Sequence, residues 1–326
     1  MLKIGLIALL GAAAGDARAE ERRLVFEYKV DITGVKPGQP VDVYVPMAKD
    51  SARQTILRTD LVATIDGAEK SESRYGNRYW HGHVDAASGE DLSIVLTHVL
   101  ERRDHGVDQP TEAERSLFLQ PNARVPVDGP LVQGIRAELG IAQDASAKDK
   151  ARVIYDYVVA NVEYKKTGSG WGNGDTEWAC TQKYGNCTDF HALFTSLARA
   201  EGLPARFEIG FPVALAPEAG TIGGYHCWIE VALPEVGWFP VDASEAYKHP
   251  EKKDALFGAQ PADRLRFTVG RDLVLDGQQA PPLNYFVYPH VEVGGKVHSE
   301  VKTRFSYRAA TAEEAPPSSG QSTSED

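Results

Sequence analysis

The N-terminal third of the chain carries short apolar runs with alternation at period two. Residues 24–30 begin the series, and 41–46 alternate as a half-buried strand should. Pro37-Gly38 and Tyr75-Gly76-Asn77 mark turns, and 91–99 reads as a last strand. The pattern predicts an all-β, sandwich-like domain over 20–105. A polar connection with Pro110, Pro121 and Pro126 follows over 106–126. The spacing then becomes helical. Asp128-Gly129-Pro130 opens a helix to about Leu139, and a second spans about 147–162, with Ala151, Ile154, Val158 and Val162 as its stripe and Tyr157 beside it. Strand signals return at 264–275, 283–293 and 296–308. Residues 311–326 are rich in Ala, Glu, Pro, Ser and Gly and read as a disordered tail. The expected fold class is α+β, with the second domain over 127–310.

The first nineteen residues stand apart. Lys3 precedes an apolar run over 4–14, and Ala17-Arg18-Ala19 is an A-x-A cleavage site. This is the pattern of a secretory signal peptide, too short in its apolar part to span a membrane. It implies a periplasmic or extracellular protein beginning at Glu20. No cysteine precedes Cys180, which argues against a lipid-modified N-terminus.

Composition fits a soluble globular chain of 326 residues, 42% hydrophobic and 25% charged. The net charge of −11 repels nucleic acid and anionic lipid. No later stretch is apolar enough to cross a membrane. No cofactor motif appears. Gly168 to Asp175 is glycine-rich, but no strand leads in and no Gly-Lys-Ser/Thr follows, so it reads as a mobile loop bordering a cleft rather than a phosphate loop. His81 and His83 flank a glycine and share one strand face; solvated histidines are the preferred reading over a metal pair. No compact calcium loop is present.

The chemistry concentrates between 178 and 242. Phe190, Leu193, Phe194 and Leu197 recur at i, i+3, i+4, i+7, and Asn186 is a suitable N-cap. Gly202 and Pro204 end that helix. Cys187 therefore lies in its first turn, where free N–H groups and the helix dipole favour thiolate. Asn186-Cys187-Thr188 also matches a glycosylation sequon, which capping explains more simply. Residues 224–231 and 237–243 read as strands about a turn at Pro234-Glu235. A hairpin centred on Pro234 sets His226 opposite Asp242, close enough for the carboxylate to hold the imidazole. A Cys-His-Asp triad is one reading of these residues; separate structural roles are the other.

Gly185-Asn186-Cys187-Thr188-Asp189-Phe190 and 197–206 resemble the nucleophile helix of the transglutaminase-like superfamily. Tyr225-His226-Cys227-Trp228-Ile229-Glu230-Val231 resembles its histidine strand, and Gly237-Trp238-Phe239-Pro240-Val241-Asp242 its aspartate strand. The resemblance covers roughly 150–245. It implies a papain-like core and acyl transfer from a peptide or protein amide through Cys187, His226 and Asp242, to water as a cysteine protease or amidase, or to an amine as a transglutaminase. The Cys187 amide would supply one oxyanion-hole donor. Trp178 and Gln182 are candidates for the second, and Trp228 is expected to pack beside the site.

Other assignments stay open. A non-catalytic scaffold of the same fold is the competing class. Zinc on Cys180, Cys187, His226 and Cys227 is disfavoured, because adjacent His226 and Cys227 should point to opposite strand faces. A Cys180–Cys227 disulfide would leave Cys187 free; two unbridged thiols are the alternative. His191, off the apolar stripe, reads as solvated or structurally hydrogen-bonded.

Overall fold

The computed structural model describes residues 21–314; the expected leader and positions 315–326 of the expected tail lie outside them. The start of that tail, 311–314, is a turn in which the Glu314 carboxylate accepts from Thr311 N at 3.0 Å and from Arg308 Nη1 at 2.7 Å.

The architecture is α+β. Two five-stranded sheets hold the N-terminal strands. The first runs Ala219–Ile222, Val301–Ala309, Glu21–Ile32, Leu92–Arg103, Gln54–Ala63. The second runs Lys296–Val297, His290–Val293, Val41–Met47, Arg78–Val84, Gly67–Ser71. Period-two alternation has the predicted consequence: Leu24, Phe26, Tyr28, Val30 and Ile32 of one sheet and Val41, Val43, Val45 and Met47 of the other are buried in one core. The same core continues into a four-stranded antiparallel sheet in the order Gly237–Val241, His226–Leu233, Ala205–Pro212, Arg264–Val269. Phe26 meets Phe211 and Phe267 at ring distances of 5.2 and 5.4 Å, which joins the β region to that core sheet.

The chain's last strands have partners far away in sequence. Val301–Ala309 pairs with Glu21–Ile32, and His290–Val293 with Val41–Met47. By sequence they fall within 127–310, but their ladder partners lie in the N-terminal region. Of the three late extended segments expected, 264–275 is a strand only over Arg264–Val269, and 283–293 only over His290–Val293. The polar connection contains a short helix, Glu112–Leu117, closed by a Thr111–Glu114 capping box.

Polar residues lock the core sheet to the β region. Gln54 accepts from Arg266 N and donates to Arg266 O, both at 3.0 Å. Arg53 of the β region reaches Glu230 at 2.8 Å; within the core sheet, Arg266 reaches Glu208 at 2.8 Å and Arg206 bonds Glu230 at 2.9 Å. Burial opposes ionisation of Glu208, but Arg266 and Arg206 outweigh it and hold its pKa at about 2.

Two buried histidines make the fold acid-sensitive. His98 accepts from Ala48 N at 3.2 Å through Nε2, so Nδ1 carries the proton shared with Thr59 Oγ1 at 2.8 Å. Burial pushes His98 down to about 3 and His191 to about 4. Both pKa values are depressed on folding, so below about pH 6.5 the unfolded chain binds two protons that the folded chain refuses. These two groups should therefore lower stability as pH falls from 6.5 to 4, each with a slope of at most roughly 1.4 kcal/mol per pH unit. Urea midpoints measured at pH 7 and pH 5 check this, and equal midpoints would refute it.

Candidate active site

Helix Cys187–Ala200 is the structural centre of the site, with buried side chains from Cys187 through Arg199. Its first turn is closely fixed. Asn186 Oδ1 accepts from Thr188 N at 2.9 Å, and the Asp189 carboxylate accepts from Asn186 N at 3.0 Å. Asn186 Nδ2 donates to Tyr225 Oη at 3.0 Å, so the sequon asparagine is occupied by capping and packing. Gly185 is needed here: a Cβ would come within 2.2 Å of Asp189 Oδ2.

Asp189 also holds the glycine-rich loop. Its carboxylate accepts from Gly172 N at 2.6 Å and Gly174 N at 2.9 Å. Arg271 clamps the other side through Gly174 O at 2.7 Å and Asn173 O at 3.1 Å. The loop expected to be mobile is thus tied at several backbone atoms, by Asp189 15–17 residues on and by Arg271 97–98 residues on.

His226 begins its strand, and Asp242 lies just past Gly237–Val241 as the N-cap of helix Ala243–Lys248. The ladder differs from the predicted register. Ile229 pairs with Val241 and Leu233 with Gly237, which centres the turn on Glu235 rather than Pro234. Asp242 is therefore diagonal to His226, on the same face. Contact is preserved: His226 Nε2 lies 2.6 Å from Asp242 Oδ2. Asp242 Oδ1 caps Glu245 N at 2.9 Å and accepts from Ser244 Oγ at 3.1 Å.

The electrostatics favour an ion pair. Burial lowers the His226 pKa, but the Asp242 carboxylate outweighs it and raises the pKa to about 9. Asp242 is held well below the usual carboxylate range: burial opposes this, and His226 overcomes it. Cys187 is lowered well below a free thiol. The largest cause is a hydrogen bond from the Cys227 thiol; burial opposes, and His226 adds a second hydrogen bond and its charge. With Nε2 committed to Asp242, Nδ1 is the ring nitrogen left for the thiol.

The sequence missed the company around this trio. Cys227 was expected either to bridge Cys180 or to stay an unbridged thiol, and the second holds. All three cysteines are free. Cys227 Sγ is 3.4 Å from His191 Nδ1, and its thiol bonds Cys187, because the helix start packs against the first residues of the histidine strand. Cys180 is half-buried on Thr176–Gln182 and is pushed up to about 11 by burial. His191 is fully buried, not solvated, with Nε2 3.6 Å from Asp242 Oδ1. Arg264 approaches Asp242 Oδ2 at 3.6 Å. Nothing in local periodicity marks these residues.

Trp178 donates its indole N–H to Tyr184 O at 2.8 Å, so that donor is already committed. Gln182 is exposed at the end of the same helix. Trp228 donates to Glu208 at 2.7 Å, with its ring 6.2 Å from that of His226.

Residues 135–243 match the model of the transglutaminase-like superfamily. Over that segment the chain is similar to the transglutaminase-like superfamily. A protein of Cytophaga hutchinsonii described as a "putative cysteine protease" shares the fold at a TM-score of 0.56 and 20% identity, covering 89% of this chain and 100% of that one. An uncharacterized protein of Haemophilus influenzae is 27% identical over 90% of this chain and 95% of its own. YebA of Bacillus subtilis is 27% identical over 31% of this chain, a match to 16% of its length. The transglutaminase-like core thus carries the Cys187, His226 and Asp242 cluster within its matched segment. Among the described residues no helix is long and apolar enough to cross a membrane.

Proposed function

We propose that the protein is an exported thiol-dependent acyl-transfer enzyme acting on an amide of a peptide or protein. The observation that carries this reading is the 2.6 Å His226–Asp242 contact beside a helix-start cysteine whose thiol is strongly acidified. Cys187 is the nucleophile. It attacks the carbonyl as thiolate, and the oxyanion takes a hydrogen bond from the Cys187 amide, which at the first helical position has no intrahelical acceptor. The His226 imidazolium then gives its proton to the leaving amine, and a thioester remains. Asp242 keeps the ring charged and oriented. Water or an amine resolves the thioester, with neutral His226 taking the acceptor's proton. The expected leader over 1–19 with its A-x-A site supports a periplasmic or extracellular location.

One observation favours a non-catalytic transglutaminase-like scaffold instead: Cys187 is only 2% exposed. The deciding experiment incubates the protein with a peptide library, with and without an added primary amine, and reads products by mass spectrometry. Shortened or deamidated peptides identify hydrolysis, and amine adducts identify transamidation. No product under either condition favours the scaffold.

A further inference from the structure

A second chemical cluster lies in the β region, outside the transglutaminase-like core. His81 and His83 stand on the same face of Arg78–Val84, as their spacing requires. The neighbouring strand sets Asp42 directly opposite His83 and diagonal to His81. Asp42 Oδ1 lies 2.8 Å from His81 Nε2 and 2.8 Å from His83 Nδ1. One ligand atom from each of the three residues falls within 4.8 Å of the others. Both imidazoles thus bring a ring nitrogen to the same carboxylate oxygen.

We propose that Asp42, His81 and His83 bind one divalent transition-metal ion of the zinc class, clipping Val41–Met47 to Arg78–Val84. Two imidazole nitrogens and one carboxylate oxygen suit zinc, whereas calcium and magnesium prefer oxygen donors throughout. Tetrahedral zinc spaces its ligand atoms by roughly 3.3 Å. The 2.8 Å contacts of Asp42 and the 4.8 Å limit on the whole group bracket that spacing. Neighbours already orient both rings. Tyr44 stacks on His81 at 4.4 Å with planes 3° apart. Asp85 Oδ1 lies 3.1 Å from the far nitrogen of His83, the position of the outer carboxylate that commonly supports a metal-bound histidine. With a metal bound, each neutral imidazole carries its proton on the far nitrogen, and in His83 that proton points at Asp85. The His83 side chain is 46% exposed and those of His81 and Asp42 are 11% and 14% exposed. The site is therefore sheltered on one side and open to an ion and a water ligand on the other.

The test titrates zinc chloride into purified protein carrying Cys187→Ala, so that the acidic thiol contributes no site. Calorimetry should show one zinc per chain with a dissociation constant in the micromolar range or tighter, and zinc should raise the melting temperature. Calcium chloride should give neither effect. His83→Ala, at a half-exposed position, should weaken binding at least about tenfold. His81→Gln with His83→Gln should abolish both binding and the zinc-dependent rise, with the zinc-free melting temperature reporting that the variant is folded. No stoichiometric zinc in the parent, or zinc binding that survives the histidine replacements, would overturn the proposal.

Discussion

In Cys187→Ala, product formation is expected to fall to background while the protein stays folded. The loss should be on the order of 10⁴-fold or more, because a nucleophile cannot be partly replaced. Cys227 will not substitute for it: burial, first of all, pushes that thiol well above its ordinary pKa, so it stays protonated at neutral pH. The fold should tolerate the change. Alanine is a good helix former, and the Asn186 and Asp189 contacts that fix the first turn do not involve the thiol. The lost sulfur leaves a small cavity worth about 1 kcal/mol, a shift of a few degrees in melting temperature. Mass spectrometry of the products and a thermal melt together read the outcome. A folded variant that still forms product would remove Cys187 from the mechanism.

Asp242→Asn is expected to cut turnover by roughly 10² to 10⁴-fold while keeping the helix cap. Asparagine still offers an oxygen to Glu245 N, so the start of Ala243–Lys248 is retained. What disappears is the negative charge on the His226 ring. In the parent, the carboxylate overcomes burial and holds His226 at about 9. Its pKa is raised on folding, so the stability from this pairing is complete below about pH 6.5 and lost as pH rises through about 9. Asp242 is depressed, so its share is present above the ordinary carboxylate range and lost as acid protonates it. Without the charge, the main influence opposing burial of His226 is gone, and its pKa falls. The thiolate–imidazolium pair then narrows from the alkaline side, and Cys187 loses part of its acidification. Iodoacetamide labelling of Cys187 near pH 6 should be fast in the parent and much slower in the variant. Identical rate-versus-pH curves in the two proteins would show that Asp242 does not tune the pair.

These residues differ in how far the sequence reveals them, and the difference follows the range of the interactions involved. The nucleophile helix was legible because its causes are local. A four-residue apolar period, an asparagine cap and a terminating Gly-Pro pair lie within nineteen residues of one another, and Cys187–Ala200 starts at the predicted residue. Strand alternation in the first third and helical spacing after it together led to the α+β class, since each period reports burial on one face without naming the partner. The His226–Asp242 contact was legible as neighbours across one short turn. Its register was not, because Val236 N bonds Leu233 O and Gly237 takes φ +104°, which moves the turn centre one residue on. Several turn geometries suit the same Pro-Glu-Val-Gly run, and composition does not choose among them.

Tertiary structure alone decided the rest. The sequence cannot say that Val301–Ala309 lies beside Glu21–Ile32, because unpaired strands advertise hydrogen bonds without an address. It could not send Cys227 to Cys187 and His191 instead of Cys180, nor bury His191 against Asp242. It showed His81 and His83 as a pair on one face but not Asp42 between them, 39 and 41 positions away. Periodicity fixes which side of an element is buried; which distant side chain meets it there is settled when the sheets and helices pack.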